Sequence, residues 1–189
     1  MAITLTRRAV VCVALVAVGV ARVGATTQRN LVYEVKGTYL YKFLPFVEWP
    51  KTAFPDVNAP FRLCVLGTDP FGSSLDALFQ NEKVQGHPIV VERLKDEATA
   101  GSCHLVFAPD SSAARFPALI KATEHKNVLI VGESRRLLEL CGAIAFVVEG
   151  ERVRFDISLA GLAAHSLKAS SKLLQIAREA SDKFAHCAR

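Results

Sequence analysis

Two short apolar runs, each carrying one cysteine, limit what this chain can fold into. Phe61 to Pro70 reads FRLCVLGTDP and ends in a glycine turn, and Cys103 to Phe107 reads CHLVF. A continuous apolar run of this length, bounded by turn residues, reads as a strand buried on both faces. Strands of that kind sit in a sheet with helices packed against it.

The rest of the chain supplies the partners such strands need. Asn30 to Trp49 reads as a helix with Val32, Val35, Tyr39, Phe43 and Val47 at helical spacing, and Pro45 should kink or end it. Pro50, Pro55 and Pro60 mark an extended loop. Strands are expected at Phe61 to Leu66, Pro88 to Leu94, His104 to Ala108 and Val128 to Val131. Between them, Ser74 to Gln80, the stretch up to Thr123 and Ser134 to Leu140 read as helices; Asp69 can cap the first of these, and Gly142 stops the last. Ala143 to Val148 and Arg152 to Ser158, joined at Glu149-Gly150-Glu151, read as a hairpin. A closing helix is expected from Leu159 to Phe184, with Leu173, Ile176, Ala177, Ala180 and Phe184 inward and Lys172, Gln175, Arg178, Glu179 and Asp182 outward. The expected fold is therefore α/β: one domain with a mixed, largely parallel sheet, a C-terminal hairpin and helices on its faces.

The first residues read as an export signal. Arg7 and Arg8 precede an uncharged apolar run from Ala9 to Ala21, and Val23-Gly24-Ala25 offers a cleavage site. A bilayer span needs ~20 apolar residues, and Arg22 closes this run short of that. The expected division is a signal peptide at 1–25 and a single domain at 26–189. Removing Arg7, Arg8 and Arg22 lowers the net charge from +5 to +2, since no acid leaves with them. The remaining basic residues are scattered, which speaks against a nucleic-acid partner.

Catalytic and metal motifs are missing: no G-x-S-x-G, H-E-x-x-H, S-x-x-K, G-x-G-x-x-G or Walker lysine loop occurs. No C-x-x-C pair forms, and Cys103-His104 lacks a second cysteine at haem-attachment spacing. The reading is of a non-enzyme without cofactor or metal. His87 and His104 read as structural or solvent-facing. The turns after the strands, at Gly67 to Pro70, Pro109 to Ser112 and Gly132 to Arg135, lie where α/β sheets gather ligands. Asp69, Asp110 and Glu133 make those turns acidic, so simple helix capping is favoured over anion binding.

In order and spacing, these landmarks resemble the YfiR/HmsC-like family of small exported bacterial proteins. The matching residues are Phe46-Val47-Glu48-Trp49-Pro50, Cys64-Val65-Leu66-Gly67 with Asp69-Pro70-Phe71, and Cys103-His104-Leu105-Val106-Phe107. Val128-Leu129-Ile130-Val131-Gly132, Arg154-Phe155-Asp156-Ile157 and Leu167 through Leu174 complete the series. The resemblance covers roughly residues 31–180. It implies a periplasmic regulator that binds the periplasmic domain of an inner-membrane diguanylate cyclase and holds it inactive, lowering cyclic di-GMP and biofilm formation. A small-molecule ligand, feeding a sensor or transporter, is the alternative, and a homodimer stays open.

Four cysteines remain after residue 25, with three full pairings. Cys64 and Cys103 can form a bridge or remain two buried thiols; export and the resemblance both favour the bridge. Cys141 and Cys187 stay open. Arg154, Lys168, Lys172 and Arg178 are the candidate partner contacts, each also readable as a solvated charge. Phe46, Trp49 and Phe54 are candidate aromatic anchors, with core packing favoured for the first two.

The signal reading predicts that protein recovered from the periplasm begins at Thr26. N-terminal sequencing checks this, and intact Met1 in the membrane fraction contradicts it.

Overall fold

A strand buried on both faces needs a cover on each, and the fold follows from that need. The computed structural model describes residues 28, 30–184 and 187. The expected signal peptide and its cleavage site lie outside the described residues. Helix α1 occupies 30–43, and a 3₁₀ turn at Leu44–Phe46 takes the place of a further helical turn. Pro45 has no N–H for a helix interior but fits the first turn of a new element, which is why the path changes here.

There follow β1 (Val47–Glu48), β2 (Phe61–Leu66), α2 (Ser73–Phe79), β3 (Lys83–Val84), β4 (His87–Leu94) and β5 (Leu105–Ala108). Next come α3 (Phe116–Thr123), β6 (Leu129–Gly132), α4 (Arg135–Glu139), β7 (Ile144–Glu149) and β8 (Arg152–Ser158). The chain continues through α5 (Leu159–Ala164), β9 (Lys168–Ala169), α6 (Ser171–Ile176) and β10 (Glu179–Ser181).

Eight strands form the main sheet in the order β10-β8-β7-β6-β5-β2-β4-β3. Pairing is parallel except for the β7–β8 hairpin and the short β3–β4 pair. The chain leaves β2 toward β4 on one side, then crosses back to β5 on the other. Right-handed crossovers put the two directions of travel on opposite faces. So α2 packs with α1 and α6 on one face, where Leu40, Phe43, Leu75, Phe79 and Leu173 meet Leu63, Val65, Phe107, Val131, Phe146 and Phe155. Helices α3 and α4 cover the other, where Phe116, Leu119 and Leu137 meet Cys64, Leu66, Val106 and Ile130. Expected and observed fold agree: a mixed α/β domain, largely parallel, with helices on both faces and a C-terminal hairpin.

Two elements differ from the expectation. Along α1 and into the 3₁₀ turn the buried ladder is Lys36, Gly37, Leu40, Phe43 and Leu44, while Val35 is exposed. The expected closing helix over 159–184 is three pieces. Ser166 takes a left-handed φ of 54° after α5, and Ser170 opens α6 by accepting from Leu173 N at 3.3 Å. The chain turns extended at Ala177, and 179–181 pair parallel with Asp156, Ile157 and Ser158. Ile176 therefore faces solvent, and Phe184 packs in a separate cluster with Leu138 and Ala145. The open edge of β8 and the buried Asp156 attract this segment more strongly than helical propensity holds it.

Two disulfides occur among the described residues. Cys64 joins Cys103 with Cα atoms 6.2 Å apart, and Cys141 joins Cys187 with Cα atoms 5.8 Å apart. The first ties β2 to the segment entering β5. The account predicts that non-reducing peptide mapping finds the Cys64 and Cys103 peptides joined. Cys64→Ala should then cost about 2–5 kcal/mol in denaturant melts. Quantitative alkylation of both thiols without reductant would refute the bridge.

Candidate functional site

The reversal of strand order between β2 and β5 leaves a crevice outside the carboxyl ends of the strands. Helix α1 roofs it with Tyr33 and Lys36. Thr68 and Pro70 come from the turn after β2, Asp110 and Ser111 from the turn after β5, and Glu133 from the turn after β6. This hollow has a volume of about 720 Å³. A second of about 500 Å³ shares Tyr33, Lys36, Asp110 and Glu133 and extends over β7 to Asp156 and Arg178.

The Lys36–Glu133 ion pair divides the two hollows. Lys36 is only 5% exposed, and its ammonium donates to Glu133 Oε1. The other carboxylate oxygen of Glu133 accepts from Asp110 N at 3.0 Å. The Lys36 Nζ also lies 4.7 Å from the Tyr33 ring centroid. Each charge is thus compensated, as charges withdrawn from water require. The acidic turn after β2 is neutralised too: Arg93 donates to Asp69 Oδ2 at 2.9 Å and to Asp76 Oδ1 at 2.6 Å. Hydrogen bonding to Arg93 holds the Asp76 carboxyl below its usual range.

At the far end, Asp156 is 1% exposed on β8. Arg178 grips it through two parallel bonds, Nε to Oδ1 at 2.8 Å and Nη2 to Oδ2, while Nη1 donates to Glu149 Oε1 at 2.9 Å. The Arg178 backbone N–H donates to Phe155 O at 2.8 Å. Hydrogen bonds to Asp156, then to Glu149, raise the guanidinium pKa further above its already high value.

Sequence reasoning placed Arg178 on a solvated helix face; the structure corrects this, because the helix ends at Ile176 and Arg178 neutralises a buried carboxylate. The other candidates do not converge with it. Lys168, on β9, faces solvent beside Glu48 across a two-residue antiparallel pair. Lys172 is exposed on α6, whose Leu173 enters the core on the α1 face. Arg154 is half-buried on β8 and, by strand alternation, shares a face with Asp156 and not with Phe155. Trp49 is buried and Phe46 half-buried. Phe54 is stacked between His87 and His104. Lys36 escaped the sequence reading. Its signal was a lysine four residues before Leu40 on the buried ladder.

No group of His, Cys, Asp or Glu among the described residues could hold a metal ion, and none of their helices is long and apolar enough to cross a membrane. The paired charges predict different responses to charge reversal. Arg178→Glu should destabilise by about 2 kcal/mol, a value reduced for Arg178 standing one-third in solvent, because buried Asp156 loses its partner. Lys172→Glu should stay within about 0.5 kcal/mol. Urea melts of both variants check this; equal stabilities would contradict it.

A family model described as YfiR/HmsC-like matches residues 33–178. No curated protein matches the chain. Among solved structures, a conserved domain protein from Vibrio cholerae O1 biovar eltor str. N16961 superposes with a TM-score of 0.53 at 11% identity. The alignment covers 78% of this chain and 60% of that one, so this chain spans less than two thirds of its length. At that identity the likeness extends to the fold alone. The family match covers most of the sequence and contains both hollows' ion pairs, and the chain belongs to the YfiR/HmsC-like family.

Proposed function

We propose that this protein is a periplasmic regulator that represses a membrane-bound diguanylate cyclase by binding its periplasmic domain. The observation that carries this reading is the family match over residues 33–178, a family of regulators and not of catalysts. The chemistry of the crevice is consistent with it. Lys36, Glu133, Asp156 and Arg178 are closed in ion pairs, so none is poised as a free base or nucleophile. Export at Ala25 would place the domain where such a partner is reached.

Lys168 and Lys172 are the proposed contacts that best keep a free charge, since both are exposed on the β9–α6 segment. Arg154 stays a candidate at the β8 face, and Arg178 would act there by holding the edge strand in place. A second reading, small-molecule binding, is favoured by the 720 Å³ hollow at the strand-order reversal.

Deleting residues 26–189 in the native host is expected to raise cyclic di-GMP, and complementation to restore it. Lys172→Glu should complement less well while melting normally. Unchanged cyclic di-GMP across growth conditions would count against cyclase control.

A further inference from the structure

Histidines at the opposite end of the sheet do something the crevice does not. The loop from Pro50 to Pro60 crosses the amino ends of β2 and β5 as a strap, and most of its residues are exposed. Val57, near its middle, is 83% exposed. Two buried imidazoles hold it. His104 Nε2 donates to Ala53 O at 3.1 Å, and His87 Nδ1 donates to Ala59 O at 2.7 Å. Phe54, between these anchor points, is sandwiched by the same rings, with centroids 3.8 Å from His87 and 4.6 Å from His104.

The two histidines differ in what a proton does to them. His104 Nδ1 accepts from the backbone N–H of Arg62 at 3.0 Å. That bond uses the lone pair a proton would take, so His104 is held as the neutral Nε2–H tautomer. A proton on Nδ1 would set two donors against each other. His87 uses its Nδ1 only as a donor toward Ala59 O, and protonation leaves that bond intact.

The surroundings offer a charged His104 no counter-ion. Arg62 of β2 faces it, and the Glu92 carboxylate on β4 is already taken by Arg62 through bonds of 2.7 Å. His125 and Lys126, after α3, line the same hollow beside the strap, and no carboxylate is among its described lining residues. His87 lies across the Phe54 ring. Cys103 is locked in its disulfide and does not titrate.

We propose that His104 is a proton-operated clasp: as a neutral ring it joins the 50–60 strap, through Ala53 O, to the Arg62 N–H at the start of β2, and on taking up a proton at Nδ1 it is driven off that N–H and carries the strap out of its seat. Burial foremost holds its pKa below the ordinary 6.5, against the Ala53 hydrogen bond, which favours the proton, and with a smaller contribution from Arg62. The open form binds the proton more tightly than the closed form. The clasp is therefore fully closed above 6.5 and loosens as pH falls through the window beneath it. In an exported protein, that proton comes from the medium.

Trp49 is the chain's single tryptophan and reports on the clasp directly. It is 6% exposed, and its indole N–H donates to His104 O at 3.3 Å immediately before the strap. Intrinsic fluorescence of the folded domain should red-shift reversibly as pH falls from about 7 to about 5, with far-UV circular dichroism retained. His104→Asn keeps an acceptor for the Arg62 N–H but cannot titrate, and its emission should stay flat over that range. Histidine ring ¹⁵N spectra of the unsubstituted protein decide the matter even if this variant does not fold. His104 should appear as the neutral Nε2–H tautomer at pH 7, and its imidazolium should grow in with the same midpoint as the Trp49 shift. A Trp49 emission unchanged down to pH 5, an equal shift in His104→Asn, or a His104 titration separate from the Trp49 change would overturn the proposal.

Discussion

A carboxylate at position 156, sealed in the sheet, sets how this chain ends. Asp156 sits on a strand whose neighbours Phe155 and Ile157 are core residues, and its own exposure is 1%. An ionised group there needs a charged, hydrogen-bonding partner. Arg178 is that partner, and its planar fork fits both carboxylate oxygens. Meeting it obliges the chain to leave helical geometry after Ile176 and run alongside β8. The consequence is an eighth strand, a covered sheet edge, and a cation fixed beside the second hollow.

The same logic operates at the crevice. Strand order reverses between β2 and β5, so the crossovers part and leave room outside the strand ends. In a related layout an open crevice of this kind could present free charge. Here Lys36 descends from α1 onto Glu133, and Glu133 also takes the Asp110 N–H. The pair closes the roof helix onto the turn after β6 and leaves the hollow polar but electrically balanced. The amino ends of the strands are handled differently, with the His104 ring seated between the Arg62 N–H and the strap.

Much of this fold was legible because buried parallel strands leave an unmistakable mark. LVFA and LIVG are apolar on both faces, as is FRLCVL apart from Arg62, and the turn residues after them locate the crossovers. The hairpin was equally plain from Glu149-Gly150-Glu151, where Gly150 takes a φ of +60°. What was not legible depended on contacts distant in sequence. Helical spacing of apolar residues over 173–184 was real, yet nothing local announced that Asp156 would draw Arg178 into a strand. Lys36 lies 97 residues from Glu133, and an alignment of two charges across that gap has no sequence signature. His104 was read as structural or solvent-facing, and its tautomer is dictated by the backbone N–H of Arg62 on another strand.

The claim that the buried Asp156–Arg178 pair organises the C-terminal part of the domain can be put to a double-mutant cycle. Asp156→Asn, Arg178→Gln and the double variant would be compared by urea denaturation at neutral pH. Residues in one hydrogen-bonded ion pair couple strongly, and the expected interaction energy is about 2 kcal/mol, with the double variant losing far less than the sum of the singles. Additivity within about 0.5 kcal/mol would contradict the account.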